Sequence, residues 1–260
     1  MAGMTVAQAV AEGMRLLSRA EKALEDRIRA LPDGPERGRL IQERWRLAQA
    51  LGRERRYFSQ AGQDAFLDRV VFRGKRGGVF AEIGAYDGVT GSNTLFFELF
   101  RGWSGLLVEA SPTHHAAAVA SRGVPCLNLA VAGRAGEVEF LDIRRGLTQM
   151  GGIAGSLGEA ARAAIEADPR TEARLVRVPA RPLAEILDEA GLRRLDYLSI
   201  DIEGGELEVL RGFPFAEFEI AAWSIEVNTP SPEIEEIMRG SGHRLAAHVG
   251  VDQIWLRGGG

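Results

Sequence analysis

From Gly78 onward the chain alternates between two patterns, continuous apolar runs of strand length and stretches with helical spacing. GVFAEIG (78–84) precedes a predicted helix near 92–100, and GLLVEAS (105–111) precedes one near 112–121. VPCLNLAV (124–131) and the short EVEFLDI (137–143) follow. DYLSIDIEG (196–204) leads into ELEVLRGF, and AAWSIEVN (221–228) into PEIEEIMRGS. HRLAAHV and VDQIWLR then form a predicted antiparallel pair. Strands that are apolar on both faces and separated by helices predict an α/β fold with a mostly parallel, doubly wound sheet.

Residues 1–56 follow another pattern. Val6, Val10, Met14 and Leu17 recur at helical spacing, and LPDGPERG (31–38) interrupts them with turn formers. A second helical stretch follows at roughly 38–55, rich in Arg and Glu. The prediction is an N-terminal helical hairpin ahead of one domain spanning 57–260. The hairpin either packs on that domain, caps its substrate site, or pairs with a second copy in a homo-oligomer. The segment 144–176 is glycine-rich, lacks a clean period, and is a candidate lid or a surface insertion.

In doubly wound sheets ligands bind beyond the carboxyl ends of the strands, where strand order reverses. Each predicted strand end here carries an acid or an amide. The first ends at Glu82 and Gly84, with Asp87 in the following loop; the second ends at Glu109. The third ends near Asn128 and Ala130, the fourth in Asp201 and Glu203, and the fifth in Glu226 and Asn228. Acids are depleted in strands, so the arrangement calls for a chemical reason. A pyrophosphate would be repelled by a carboxylate-lined first loop. S-adenosylmethionine brings a ribose, an adenine, an ammonium and a sulfonium but no phosphate. Glu82 and Asp87 are expected to face its cationic end, unless Asp87 serves the turn. Gly84 would admit the backbone, Glu109 would hold the ribose, and the adenine would lie near Asn128 and Ala130.

SQAGQDAFL (59–67), VFAEIGAYDGVTGSNT (79–94), GWSGLLVEASP (102–112), LNLAVAG (127–133), LDYLSIDIEGGELEVLRGF (195–213) and SIEVN (224–228) together resemble the FkbM family of S-adenosylmethionine-dependent methyltransferases. Order and spacing agree from about residue 57 onward. The resemblance implies a Rossmann-like methyltransferase fold acting on oxygen of sugars, natural products or glycans. Within the matching blocks it implies that Gln60, Asp64, Ala85, Ser92, Asn93, Ala110 and Ser111 line the donor or acceptor site. Glu82 stands where many relatives carry Asp, which keeps the charge.

A free alcohol is a poor nucleophile, so O-methylation needs a base or a metal. Asp201 and Glu203 are the candidate bases, with His248 of the C-terminal pair as another. Asp201, Glu226 and Asn228 are alternatively a set of hard oxygen donors for Mg2+. Glu206 and Glu208 also suit the start of a helix, and His114 and His115 read as solvated helix residues. The competing functions are a nucleotide-dependent oxidoreductase and a catalytically idle Rossmann-like binding module.

Composition narrows the partners. The chain has 260 residues, a formal net charge of −4 and a single cysteine, Cys126. Neither a general nucleic-acid surface nor a disulfide framework is expected. No apolar run approaches a membrane span or a signal sequence, so a cytoplasmic protein with a small-molecule or carbohydrate acceptor is the expectation.

Overall fold

The computed structural model describes residues 5–258. Two long helices open the chain, α1 (Val6–Ala30) and α2 (Pro35–Ala50). Thr5 and Gln8 form a reciprocal capping box at the start of α1, and Pro35 opens α2. The helices pack together with Ile28 and Leu40 buried, and the Arg44–Glu25 and Arg53–Glu21 ion pairs tie α1 to α2 and the residues after it. α1 is 25 residues long and α2 is 16, so the N-terminal part of α1 overhangs its partner. The stripe Val6, Val10, Met14 and Leu17 lies on that overhang and is exposed.

The main sheet holds β1 (Val79–Ile83), β2 (Ser104–Val108), β3 (Cys126–Leu127), β8 (Arg194–Ile200), β9 (Glu219–Glu226), β10 (His243–Val249) and β11 (Asp252–Arg257), in the order β10-β11-β9-β8-β1-β2-β3. Every neighbouring pair is parallel except the two made by β11. Strand order reverses between β1 and β8, which sets a crevice beyond the ends of those two strands. Helices α3 (Gln63–Phe66), α4 (Pro112–Ser121), α6 (Leu183–Glu189), α7 (Glu206–Gly212) and α8 (Pro232–Gly240) complete the frame. Leu198, Ile200, Trp223 and Trp255 pack on one face with Leu187, Val209 and Met238 of α6, α7 and α8. Phe80, Leu107, Tyr197 and Ile254 pack on the other with Phe96, Phe97 and Trp103. Truncating a fully buried aromatic such as Trp223 typically costs ~3–5 kcal/mol, so these faces anchor the strand ends. Among the described residues no helix is long and apolar enough to cross a membrane.

Three predicted elements differ. The helix expected near 92–100 is a short turn ending in one wide π turn, Phe97–Arg101, closed by Gly102 at φ 64°. The run VPCLNLAV is two strands in different sheets, because β4 (Ala130–Val131) leaves the main sheet. It joins β5 (Gly136–Arg145), β6 (Gly152–Ile153) and β7 (Glu172–Arg181) in the order β4-β7-β5-β6. The segment 144–176 is therefore divided. Its first part folds over the crevice, α5 (Glu159–Ala167) follows, and its last residues begin β7.

Candidate active site

The crevice is a cleft, open at its mouth. Its floor is the loop after β1. Gly84 sits at φ 86°, and its amide and that of Ala85 donate to Val108 O at 2.9 and 3.1 Å. A Cβ at residue 84 would collide with Asp201 O, so only glycine closes this junction. Tyr86 follows at φ 50°, a left-handed conformation uncommon for an aromatic residue.

Glu109 closes the second side. Its Oε2 accepts from Tyr86 N at 2.7 Å and its Oε1 from Ser111 N at 2.7 Å. Each oxygen keeps a further lone pair for a ligand hydroxyl. Burial pushes the Glu109 carboxyl up to about 7, against the pull of those backbone amides. Asn128 does not line the cavity; its Nδ2 donates to Glu109 O and Ala110 O and fixes the strand end.

Of the expected donor-site residues, Gln60, Glu82, Gly84, Ala85, Ser92, Asn93, Glu109, Ala110, Ser111, Ala130 and Asp201 line this one cavity. Two others do not. Asp87 accepts from Val89 N, Thr90 N and Thr90 Oγ1 at 2.7–2.9 Å, so it serves its turn instead of facing a ligand. Asp64 is fully buried and caps α3's approach, accepting from Phe58 N at 2.7 Å and Ser59 Oγ at 2.5 Å. The bridge between Ser59 and Gly91 carries Gln60 over Gly91 into the cavity. Glu82 reaches the cavity, but its carboxylate is already engaged by Ser92 Oγ, Asn93 N, Thr94 Oγ1 and the buried Arg122. It organises the loop more than it offers a free charge.

The cover comes from the segment 144–176 and from β5. Thr148, Gln149, Gly151 and Ile153 close the cavity from above, and Phe140 and Ile143 of β5 form an apolar wall. Tyr86 Oη and Thr148 Oγ1 lie 2.7 Å apart and tie floor to cover. His114, expected in solvent, lines the cavity, packs 4.3 Å from the Tyr86 ring and contacts Ile143 O through Nε2.

The fourth and fifth strand ends bring carboxylates together. Asp201, Glu203 and Glu226 each present an oxygen within 4.8 Å of the others. Burial raises Asp201 and Glu226 well above the usual carboxylate range; the charges of Asp252 and Glu203 push both further, and Asp201 also raises Glu226. Glu203 is held at about 7 by burial and by Glu206. Its backbone, at φ 57°, turns the side chain back into the cluster. Glu226 Oε2 and Asn93 Oδ1 are both buried with no hydrogen-bond partner. Asn228 lies beside this set, its Nδ2 3.5 Å from Glu203 Oε2, and Glu203 adds a carboxylate not expected among the ligands. Glu206 accepts from Ile202 N and Gly204 N at 2.9 and 3.0 Å and holds the loop. His248 lies outside this cavity, with Nδ1 2.8 Å from Asp33 Oδ2.

Residues 82–252 match the methyltransferase FkbM domain. No curated protein matches the chain. The methyltransferase FkbM of Methylobacillus flagellatus KT is similar over 92% of this chain and 59% of its own, at 12% identity and a TM-score of 0.43. The chain thus spans about three-fifths of that protein's length. Aeropyrum pernix fibrillarin, solved with natively bound S-adenosyl-L-methionine, is similar over 77% of this chain and 74% of its own, at 12% identity and a TM-score of 0.40. A TehB-like SAM-dependent methyltransferase from Corynebacterium glutamicum gives 86% and 100%, with 12% identity and a TM-score of 0.39. The sheet order is Rossmann-like, and the family match covers residues 82–252 of it. The chain belongs to the methyltransferase FkbM family.

The residues present fit the donor. Gly84 leaves a cradle that a Cβ would fill, Glu109 keeps lone pairs for ribose hydroxyls, and Asn93 Oδ1 is an unpartnered acceptor at the cavity wall.

Proposed function

We propose that this methyltransferase acts on oxygen, methylating a hydroxyl of a sugar, glycan or natural product. The observation that carries this reading is the carboxylate cluster of Asp201, Glu203 and Glu226 beside the donor cavity. When bound, S-adenosylmethionine supplies a methyl carbon activated by its sulfonium. What remains for the protein is to align the acceptor, exclude water and take its proton. Asp201 and Glu203 line the cavity, and a carboxylate held near neutrality is suited to accept a hydroxyl proton. Tyr86 and Thr148 close the cover against water. Transfer of label from methyl-tritiated S-adenosylmethionine to a panel of hydroxylated acceptors tests the reading. Transfer to amines or thiols alone would overturn it.

A second reading of the same cluster is favoured by one atom. Glu226 Oε2 is buried and unpartnered beside two other carboxylates, which suits a hard divalent cation such as Mg2+. Such an ion would lower the pKa of an acceptor hydroxyl. Loss of activity with chelator and its return with magnesium separates this reading from the first.

A further inference from the structure

S-adenosylmethionine carries a carboxylate as well as an ammonium, and the cleft offers that carboxylate no cation. Among the described residues that line it there is no Lys or Arg, whereas Glu82, Glu109, Asp201 and Glu203 are all there. In such a setting a carboxylate has to be held by N–H or O–H donors, which bind best when the acceptor is charged.

The donors near the floor are spent within the protein. Gly84 N and Ala85 N donate to Val108 O, and Tyr86 N to Glu109. Val89 N, Thr90 N and the Thr90 hydroxyl serve Asp87. Asn93 N and the Ser92 hydroxyl serve Glu82, and Asn93 Nδ2 donates to Ser199 Oγ. The Ser111 hydroxyl goes to Asp142. The side-chain amides of Gln60 and Gln149 remain, both lining the cleft and both exposed.

These two amides reach one place from separate parts of the chain. Gln60 is carried in by the bridge between Ser59 and Gly91, and Gln149 sits in the short turn Thr148–Met150 of the cover. Gly91 lies between them at φ 75°. A Cβ there would stand 2.9 Å from Gln60 Cγ, 3.3 Å from Gln60 Nε2 and 3.4 Å from Gln149 Nε2. The two nitrogens thus flank one point, and a carboxylate between them can accept from both. Neutral amides supply protons without competing with the donor's ammonium for the carboxylates of the cleft. We infer that Gln60 and Gln149 form the subsite for the donor's carboxylate, so that the cover closes on the amino-acid end while Glu109 holds the ribose. The inference rests on the S-adenosylmethionine reading of the cleft, and it gives the 144–176 insertion a part in donor recognition.

The test is calorimetry of the full chain with S-adenosylmethionine and with its decarboxylated form, which keeps the sulfonium and the amine and lacks only the carboxylate. Gln149→Ala and Gln60→Ala are each expected to weaken S-adenosylmethionine binding ~5–20-fold and to change the affinity for the decarboxylated form by less than about twofold. Gln149→Glu is expected to weaken S-adenosylmethionine more than alanine does and to strengthen the decarboxylated form, because the new charge repels a carboxylate and attracts a cation. A merely structural role for Gln149 would move both ligands in the same direction. Equal weakening of the two ligands by Gln149→Ala, or wild-type affinity of either alanine variant for S-adenosylmethionine, overturns the inference. Failure of the wild-type chain to bind either compound is a separate result, which overturns the donor reading of the cleft and this inference with it.

Discussion

Gly84 and the carbonyl oxygen of Asp201 leave no room for a side chain between them. The contact joins the first strand loop to the fourth strand end, so donor cradle and candidate base are positioned by one backbone junction. Asp201 N also donates to Ile83 O at 2.9 Å, one residue before the glycine. Gly84→Ala combines a clash with backbone and a positive φ. It is expected to destabilise the fold by ~2–4 kcal/mol and to abolish measurable donor binding. Thermal unfolding and calorimetry check both. A folded alanine variant with normal donor affinity would show that the loop can move away at little cost.

Glu109 is expected to bind the donor ribose in its ionised form. Glu109→Ala should weaken S-adenosylmethionine binding by ~1–3 kcal/mol, the cost of losing charge-assisted hydrogen bonds. Because burial holds the carboxyl at about 7, protonation competes with the ligand as pH falls below that value. Wild-type donor affinity should therefore decline from pH 8 to pH 6, and the alanine variant should lack this decline. Calorimetry across that window measures both.

Glu203 gives a stability prediction of opposite appearance. Burial and the nearby Glu206 raise its folded pKa from 4.5 to about 7. The folded protein thus holds this proton more tightly than the unfolded chain. The contribution is fully present below about 4.5 and is lost as pH rises through about 7. Glu203→Gln, which cannot ionise, should be more stable than wild type at pH 8 by on the order of 1–2 kcal/mol, with the gap closing near pH 4. Urea unfolding at the two pH values reads the difference. A glutamine variant less stable at pH 8 would mean that the ionised carboxylate is favourably held.

The frame and the floor of the cleft were legible because their signals are local. Continuous apolar strands gave the parallel sheet, and Glu109 declared itself as an acid ending such a strand. The second sheet was not legible. β7 reads EARLVRVPAR, whose first residues are exposed and charged, and its long partner β5 lies across the 144–176 insertion. Asp64, Asp87 and Asn128 were chosen for residue type and block membership, but each satisfies backbone groups nearby. Sequence position gives no direction for a side chain at a left-handed residue. Hence Tyr86 went unnoticed, as did the place of Glu203 in the oxygen cluster. His114 was assigned to solvent because the covering strand that it contacts, β5, was not expected above it.

The central claim is that Asp201 serves the acceptor's proton while the rest of the cavity binds the donor. Asp201→Asn keeps size but removes the carboxyl that can take a proton or bind a metal. The decisive measurement is its single-turnover rate of label transfer to a hydroxylated acceptor, taken beside its S-adenosylmethionine affinity. The expected result is a rate lower by ~10²–10⁴-fold with donor affinity within about tenfold of wild type. A wild-type rate in the asparagine variant would contradict the claim, whether Asp201 is cast as base or as metal ligand.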